Sequence, residues 1–321
     1  MVDLKEKYIA NIKTLSETIW EGQATQPLVD DWLENFKEDV DGSPSERLHA
    51  LCLLSQFMYF GSRQIRELLK ALFRDSYKYP IIESIRKANK DTTDADLLSS
   101  KFKEELHKTR FLGVGNPSES GSHLLYYFRQ ENQLPKELFI HSYQIFKRHG
   151  KSKSPTIRFP DVKRYVFIDD FCGSGKQAKT YSNDILKDIK SITRKNISFE
   201  YYMLFSTKTG LKEISEKTLF DKPKTVFELD DSYKCFGRKS RYFFENNDAI
   251  DKSFAKKMCT FYGKILNPSD PLGFKDSQLL IGFHHNTPNN TLPIIWHDEP
   301  TGPKWTPIFR RYPKIYDWEV K

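Results

Sequence analysis

Cysteine is scarce and scattered in this chain. The four in 321 residues, Cys52, Cys172, Cys235 and Cys259, form no Cys-x-x-Cys pair, which argues against a disulfide framework or a thiolate zinc site and for reduced thiols. Long apolar runs are missing too. No stretch approaches the roughly 20 residues of a membrane-spanning helix, mean hydropathy is −0.63, and no membrane partner is expected. Met1-Val2-Asp3-Leu4-Lys5-Glu6-Lys7 lacks the apolar stretch of a secretory signal, so a cytoplasmic location is expected. Internal repeats and low-complexity tracts are absent. One sign of charge is in modest excess, 51 Lys and Arg against 43 Asp and Glu, a net +8. That excess permits a phosphate-bearing or nucleic-acid partner on a basic surface, and equally describes a solvated basic surface.

What is present divides at Thr109. Residues 1–108 read as an all-helical N-terminal domain. Ser43-Pro44-Ser45-Glu46 combines an N-cap Ser, Pro at the first helical position and Glu at the third. It opens a helix through Leu48, Leu51, Leu54, Met58 and Tyr59. Gly61-Ser62 ends that helix and caps the next, which carries Ile65, Leu68, Leu69, Leu72 and Phe73. The pair is either ordinary bundle packing or a helix-turn-helix reader of nucleic acid. From residue 109 to 321 short apolar runs alternate with helical segments, which predicts an α/β domain with a mostly parallel sheet, flanking helices and an irregular tail wrapping the sheet. Candidate strands are Arg110–Val114, Leu138–His141, Tyr165–Asp169, Phe199–Phe205, Thr225–Leu229 and Gln278–Phe283.

The densest chemistry lies in Tyr165-Val166-Phe167-Ile168-Asp169-Asp170-Phe171-Cys172-Gly173-Ser174-Gly175-Lys176-Gln177. An apolar strand ends in two acids, crosses a small-residue turn and opens a helix. Gly173 and Gly175 allow a sharp turn and close approach to a ligand. The amides of Ser174, Gly175 and Lys176 at a helix start favour a phosphate. Asp169 and Asp170 are candidates to accept bonds from sugar hydroxyls or to hold Mg2+. The nucleotide-hydrolase P-loop pattern fails twice, at Asp170 and Gln177, and the dinucleotide fingerprint fails on glycine spacing. A plain acidic turn is the alternative.

This segment resembles the phosphoribosyl-pyrophosphate loop of type I phosphoribosyltransferases. The resemblance implies that Asp169 and Asp170 contact ribose hydroxyls and that Cys172 through Gln177 surround the 5′-phosphate. Ser174 stands where Thr is usual, and Gln177 replaces a frequent second Thr. It also implies that the loop after the first core strand, with Gly115, Asn116, Ser118, Ser120 and Gly121, binds pyrophosphate through backbone amides. An ordinary βα turn is the other reading, and the usual basic residue of that loop is not evident. Helical segment plus core resembles the phosphoribosyltransferase-like effectors of bacterial conflict and antiphage systems, which implies a partner protein from the same system.

A third segment, Gly282-Phe283-His284-His285-Asn286-Thr287-Pro288, leaves a strand into a polar loop. His284 or His285 is a candidate general base and Asn286 a candidate ligand contact. Adjacent strand residues point to opposite faces, so one metal does not take both histidines. Asn-Thr-Pro-Asn-Asn is also good turn chemistry by itself. The expected activity is transfer or cleavage at the anomeric carbon of phosphoribosyl pyrophosphate or a nucleotide, with Mg2+ as cofactor. The alternative is a non-catalytic sensor that signals through the helical domain.

Overall fold

A computed structural model describes residues 3–41, 45–115, 120–147, 155–193, 195–243, 249–298, 302 and 304–312. Its helices and strands in chain order are α1 (Leu4–Thr18), α2 (Gln26–Leu33), α3 (Glu46–Leu54), β1 (Met58–Phe60), α4 (Ser62–Ala71), α5 (Tyr79–Ala88), α6 (Ala95–His107), β2 (Thr109–Gly113) and α7 (Ser120–Glu131). There follow β3 (Phe146–Lys147), β4 (Thr156–Ile157), β5 (Arg164–Cys172), α8 (Lys176–Tyr181), α9 (Lys187–Ile192), β6 (Ser198–Thr207), α10 (Lys208–Lys217), β7 (Lys222–Leu229), α11 (Lys252–Leu266), β8 (Ile281–Phe283) and α12 (Pro293–Trp296). Two π-helical turns, Leu72–Lys78 and Ser182–Leu186, bridge α4 to α5 and α8 to α9.

The chain forms two compact units, one from Met1–Gln64 with Asp230–Lys321, the other from Ile65–Leu229. The second holds a four-stranded parallel sheet in the order β2-β5-β6-β7. Parallel strands need crossover helices, which cover the sheet, so inner strands become apolar on both faces. Residues 165–168 of β5 and 199–205 of β6 are buried without alternation. On one face Phe167 meets Tyr181 and Phe220 edge-on. On the other side of the unit, Tyr77 donates to the Thr109 hydroxyl at 2.8 Å and packs edge-on against Phe111.

The expected boundary at 108/109 falls inside this second unit. The reason lies in where the aromatics find partners: Phe73 and Tyr77, from the helical stretch, bury against Phe111 and Phe128. The first unit gathers Trp20, Trp32 and Phe36 with residues far along the chain. Trp32 donates to the Ile294 carbonyl at 2.8 Å, and Trp20 meets Phe309 edge-on. The tail therefore joins this unit's core through Trp305, Ile308 and Phe309.

Three segments differ from the sequence reading. The helix expected through Met58 and Tyr59 stops at Leu54, and Met58–Phe60 is a strand paired in parallel with Ile281–Phe283. A strand between α3 and α4 removes the helix-turn-helix. Gln278–Phe283 is consequently outside the four-stranded sheet, and only its end is extended. Residues Lys136–Leu138 form a 3-10 turn, leaving Phe139 a single bridge to Phe111. The α3 N-cap is Ser45, whose hydroxyl accepts from the Leu48 amide; Ser43 and Pro44 lie outside the described residues.

Candidate functional site

The site begins at the carboxyl end of β5, where ligands bind in open α/β sheets. The strand runs two residues beyond the acid pair, to Cys172. Gly173, Ser174 and Gly175 then turn the chain into α8, and the helix continues through the π turn to Ile192. Gly175 is the N-cap with φ +68°, a left-handed conformation that costs a side chain about 1–2 kcal/mol. A Cβ there would also stand 3.2 Å from the Glu213 Cβ. Gly173 and Ser174 are half-buried, whereas Lys176 and Gln177 are exposed, so the helix start faces solvent.

The turn is braced from β6 and α10. The Thr207 hydroxyl donates to the Gly173 carbonyl at 2.5 Å and accepts from the Gly210 amide at 2.9 Å. Ser206 donates to the Cys172 carbonyl at 3.3 Å. At Gly210 an added Cβ would lie 2.7 Å from the Cys172 carbonyl oxygen, so only glycine admits this approach. Beneath the turn, Glu213 pairs with Lys179 of α8 and with Lys217. Lys179 first and Lys217 second pull its carboxyl down to about 2. Tyr201, Ser206, Thr207 and Gly210 were not singled out by the sequence. Thr207 three residues before Gly210 is an N-cap signature, the one local signal available.

Asp169 is 5% exposed. Its Oδ2 accepts from the Tyr201 hydroxyl at 2.5 Å and its Oδ1 from the Asp170 amide at 3.0 Å. Burial first, then the neighbouring Asp170 charge, holds its carboxyl well above the usual carboxylate range. Asp170 is half-buried and accepts from the Phe171 amide at 2.8 Å. The charge of Asp170 thus opposes ionisation of its buried neighbour. Burial and then Asp169 push the Cys172 thiol up to about 12, opposed by the Gly175 amide bonded to it. Cys172 is a neutral packing residue rather than a nucleophile.

The other candidates are placed as follows. Gly113 of β2 pairs with Ile168, and Gly115 follows at φ +94°, so the β2 loop starts at the same sheet edge as the acid pair. Asn116 and Ser118 lie outside the described residues; Ser120 and Gly121 fall in the first turn of α7. His284, His285 and Asn286 belong to the first unit. There the His284 amide donates to the Phe60 carbonyl at 3.0 Å and the His285 ring stacks on Phe283. The Asn286 side-chain oxygen accepts from the amides of Thr287 and Tyr312. These contacts give the segment a structural task.

Mg2+ uses one or two carboxylates together with substrate phosphates and water. Asp169 has both oxygens engaged and little exposed surface, so the residues present fit the ion through Asp170 and the oxygens of a bound ligand. Among the described residues no group of three or more His, Cys, Asp or Glu suits a metal by itself. No helix there is long and apolar enough to cross a membrane.

A parallel sheet with an acid pair and a glycine turn feeding a helix start makes this an α/β protein whose site resembles that of the phosphoribosyltransferase-like class. A family model described as PRTase-CE matches residues 29–311. The chain belongs to the PRTase-CE family. No curated protein matches it. Among solved structures it is similar to orotate phosphoribosyltransferase from Aeropyrum pernix, at 14% identity over 41% of this chain and 73% of that one, TM-score 0.24. The AQ2163 protein from Aquifex aeolicus is 13% identical over 64% and 84%, TM-score 0.28. Adenine phosphoribosyl transferase from Trypanosoma brucei, solved with AMP, pyrophosphate and ribose-5-phosphate, is 15% identical over 47% and 68%, TM-score 0.24.

Proposed function

We propose that the chain binds a ribose-5-phosphate-containing ligand, phosphoribosyl pyrophosphate or a nucleotide, on the turn from Cys172 to Gln177. The observation that carries this is the braced left-handed Gly175 at the exposed start of α8, one turn beyond the acid pair. The amides of Ser174, Lys176 and Gln177 and the Ser174 hydroxyl would take the 5′-phosphate. Asp170 would accept from the ribose hydroxyls, with Asp169 held behind it by Tyr201. Mg2+, bound by Asp170 and ligand oxygens, would offset pyrophosphate charge.

Transfer or cleavage at the anomeric carbon passes through a cationic state that carboxylates stabilise. With Asp169 held toward its neutral form, that stabilisation would come chiefly from Asp170. The same observation favours the second reading, a sensor that binds without turnover. By resemblance, either role belongs to a bacterial defence system and a partner protein within it.

Calorimetric titration with phosphoribosyl pyrophosphate and Mg2+, alongside a pyrophosphate-release assay, tests both. Binding that drops at least about tenfold (~1.4 kcal/mol) in Asp170→Asn supports the site. Release of pyrophosphate supports the enzyme, and binding without release supports the sensor. Undiminished affinity in Asp170→Asn together with Gly175→Ala would overturn the placement.

A further inference from the structure

The acid-pair turn occupies the carboxyl edge of the sheet. A cavity of about 500 Å3 opens at the opposite edge, within the same unit. That volume lies within the range of about 300–1,000 Å3 typical of small-molecule sites. Its floor is the start of the strands: Arg164 is the first residue of β5, Lys222 the first of β7, and Glu200 pairs with Lys222 and Tyr202 with Lys224. One wall is apolar, made by Pro80, Ile81, Ile85 and Ala88 of α5.

The charges in this cavity do not cancel. Glu200 is buried and already satisfied: Arg164 donates to it at 2.9 Å, Ser198 at 3.3 Å, and the Tyr202 hydroxyl donates to its other oxygen. Glu105, on the rim, pairs with Lys108 at 3.1 Å. Lys101, Lys222 and Lys224 remain as lining cations against the exposed Glu104. Lys222 lies 3.9 Å from the engaged Glu200; Lys224 donates to the Ser76 carbonyl at 2.8 Å and stands over the Tyr202 ring. That carbonyl also lies 2.9 Å from the Tyr202 hydroxyl oxygen and belongs to the π turn Leu72–Lys78. Such turns are rare and concentrate at functional sites. Partial burial lowers the Lys224 ammonium below the ordinary range; the Glu200 charge opposes this and Lys222 adds to it.

We infer that this cavity is a second ligand site, for an amphipathic anion whose phosphate or carboxylate sits between Lys222 and Lys224 and whose apolar body lies on Ile81, Ile85 and Ala88. A cation is disfavoured by the three lysines, and a purely apolar ligand would strip water from Lys222 and Lys224 while leaving them to share the Glu200 charge that Arg164 already engages. The site is independent of the phosphoribosyl reading, lying roughly 17 Å from Asp169 by five residues of strand rise.

The test is a fluorescence titration of the full chain with 1-anilinonaphthalene-8-sulfonate, a sulfonate on an aromatic body. Saturable binding should weaken roughly tenfold in Lys222→Met/Lys224→Met and be blocked by Ala88→Trp, whose indole fills the cavity at an exposed position. Asp170→Asn and Phe261→Ala, the latter on the exposed apolar face of α11, should leave it unchanged. Phenyl phosphate and benzoate then distinguish the two anions: displacement by either supports the site and names its head group, and displacement by neither overturns it. Dye binding insensitive to the lysine and Ala88 variants, with their melting curves intact, also overturns it. Failure here leaves the phosphoribosyl titration untouched.

Discussion

Asp169 keeps a carboxyl where a charge is hardest to hold. Its proton affinity in the folded chain exceeds the ordinary value of 3.8. The folded state therefore binds the extra proton, and the stability this gives is complete below that value and lost as pH rises through the folded one. Asn at this position keeps an oxygen for the Tyr201 hydroxyl and has no proton to release. Melting temperature measured from pH 4 to 8 should fall less steeply in Asp169→Asn than in the parent. A ΔΔG of 1 kcal/mol corresponds to about 2–4 °C for a chain segment of this size; equal slopes would mean that burial at Asp169 is inconsequential. Cys172 offers a second residue-level check. All four cysteines are buried, so native protein should react with a thiol reagent orders of magnitude more slowly than the same protein in guanidinium. The acid pair, both glycines and Ser174 were legible in the sequence because turn and helix-start chemistry is local. Tyr201 was not, because a strand tyrosine reads as core until its register opposite Phe167, from which its hydroxyl reaches Asp169, is known.

Among the elements, β5 joins everything else in its unit: it pairs with β2 on one side and β6 on the other. Its apolar run announced a buried strand. The turn after it depends on β6 and α10, whose Gly210 leaves no room for a side chain. Gly210→Ala should force the Cys172 carbonyl aside, since 2.7 Å is inside any real contact. It should both lower the melting temperature and weaken phosphoribosyl pyrophosphate binding, whereas Thr207→Val, which removes one hydroxyl, should cost about 0.5–1.5 kcal/mol of stability. Phe167→Ala, by contrast, empties space between α8 and the sheet and should cost about 3–5 kcal/mol in denaturant melts. The strand at Met58–Phe60 was misread as helix because three residues of Met, Tyr and Phe fit either period. Only the partner Ile281–Phe283, more than 220 residues on, decides between them.

At the scale of the whole molecule, the boundary expected at residue 108 followed a change of texture, helical before and alternating after. Cores follow contacts instead. The aromatics of residues 73–77 pack with the sheet, while Trp20, Trp32 and Phe36 pack with residues beyond 250. Two fragments separate the readings. Residues 65–229 should give a cooperative thermal melt with mixed helix and strand circular dichroism. Residues 1–108, cut from both of their cores, should melt without a cooperative transition. The opposite result would restore the boundary read from texture.

The second unit is inserted in the first: the chain leaves one core at residue 64 and returns to it at 230. Synthesis proceeds in one direction, at about 5–20 residues per second. Residues 65–229 can thus settle while the ribosome is still at work. Trp20, Trp32 and Phe36 are made first and completed last, waiting roughly ten seconds or more for Ile294 and Phe309 to emerge. During that interval the oldest part of the chain is the part most in need of a chaperone.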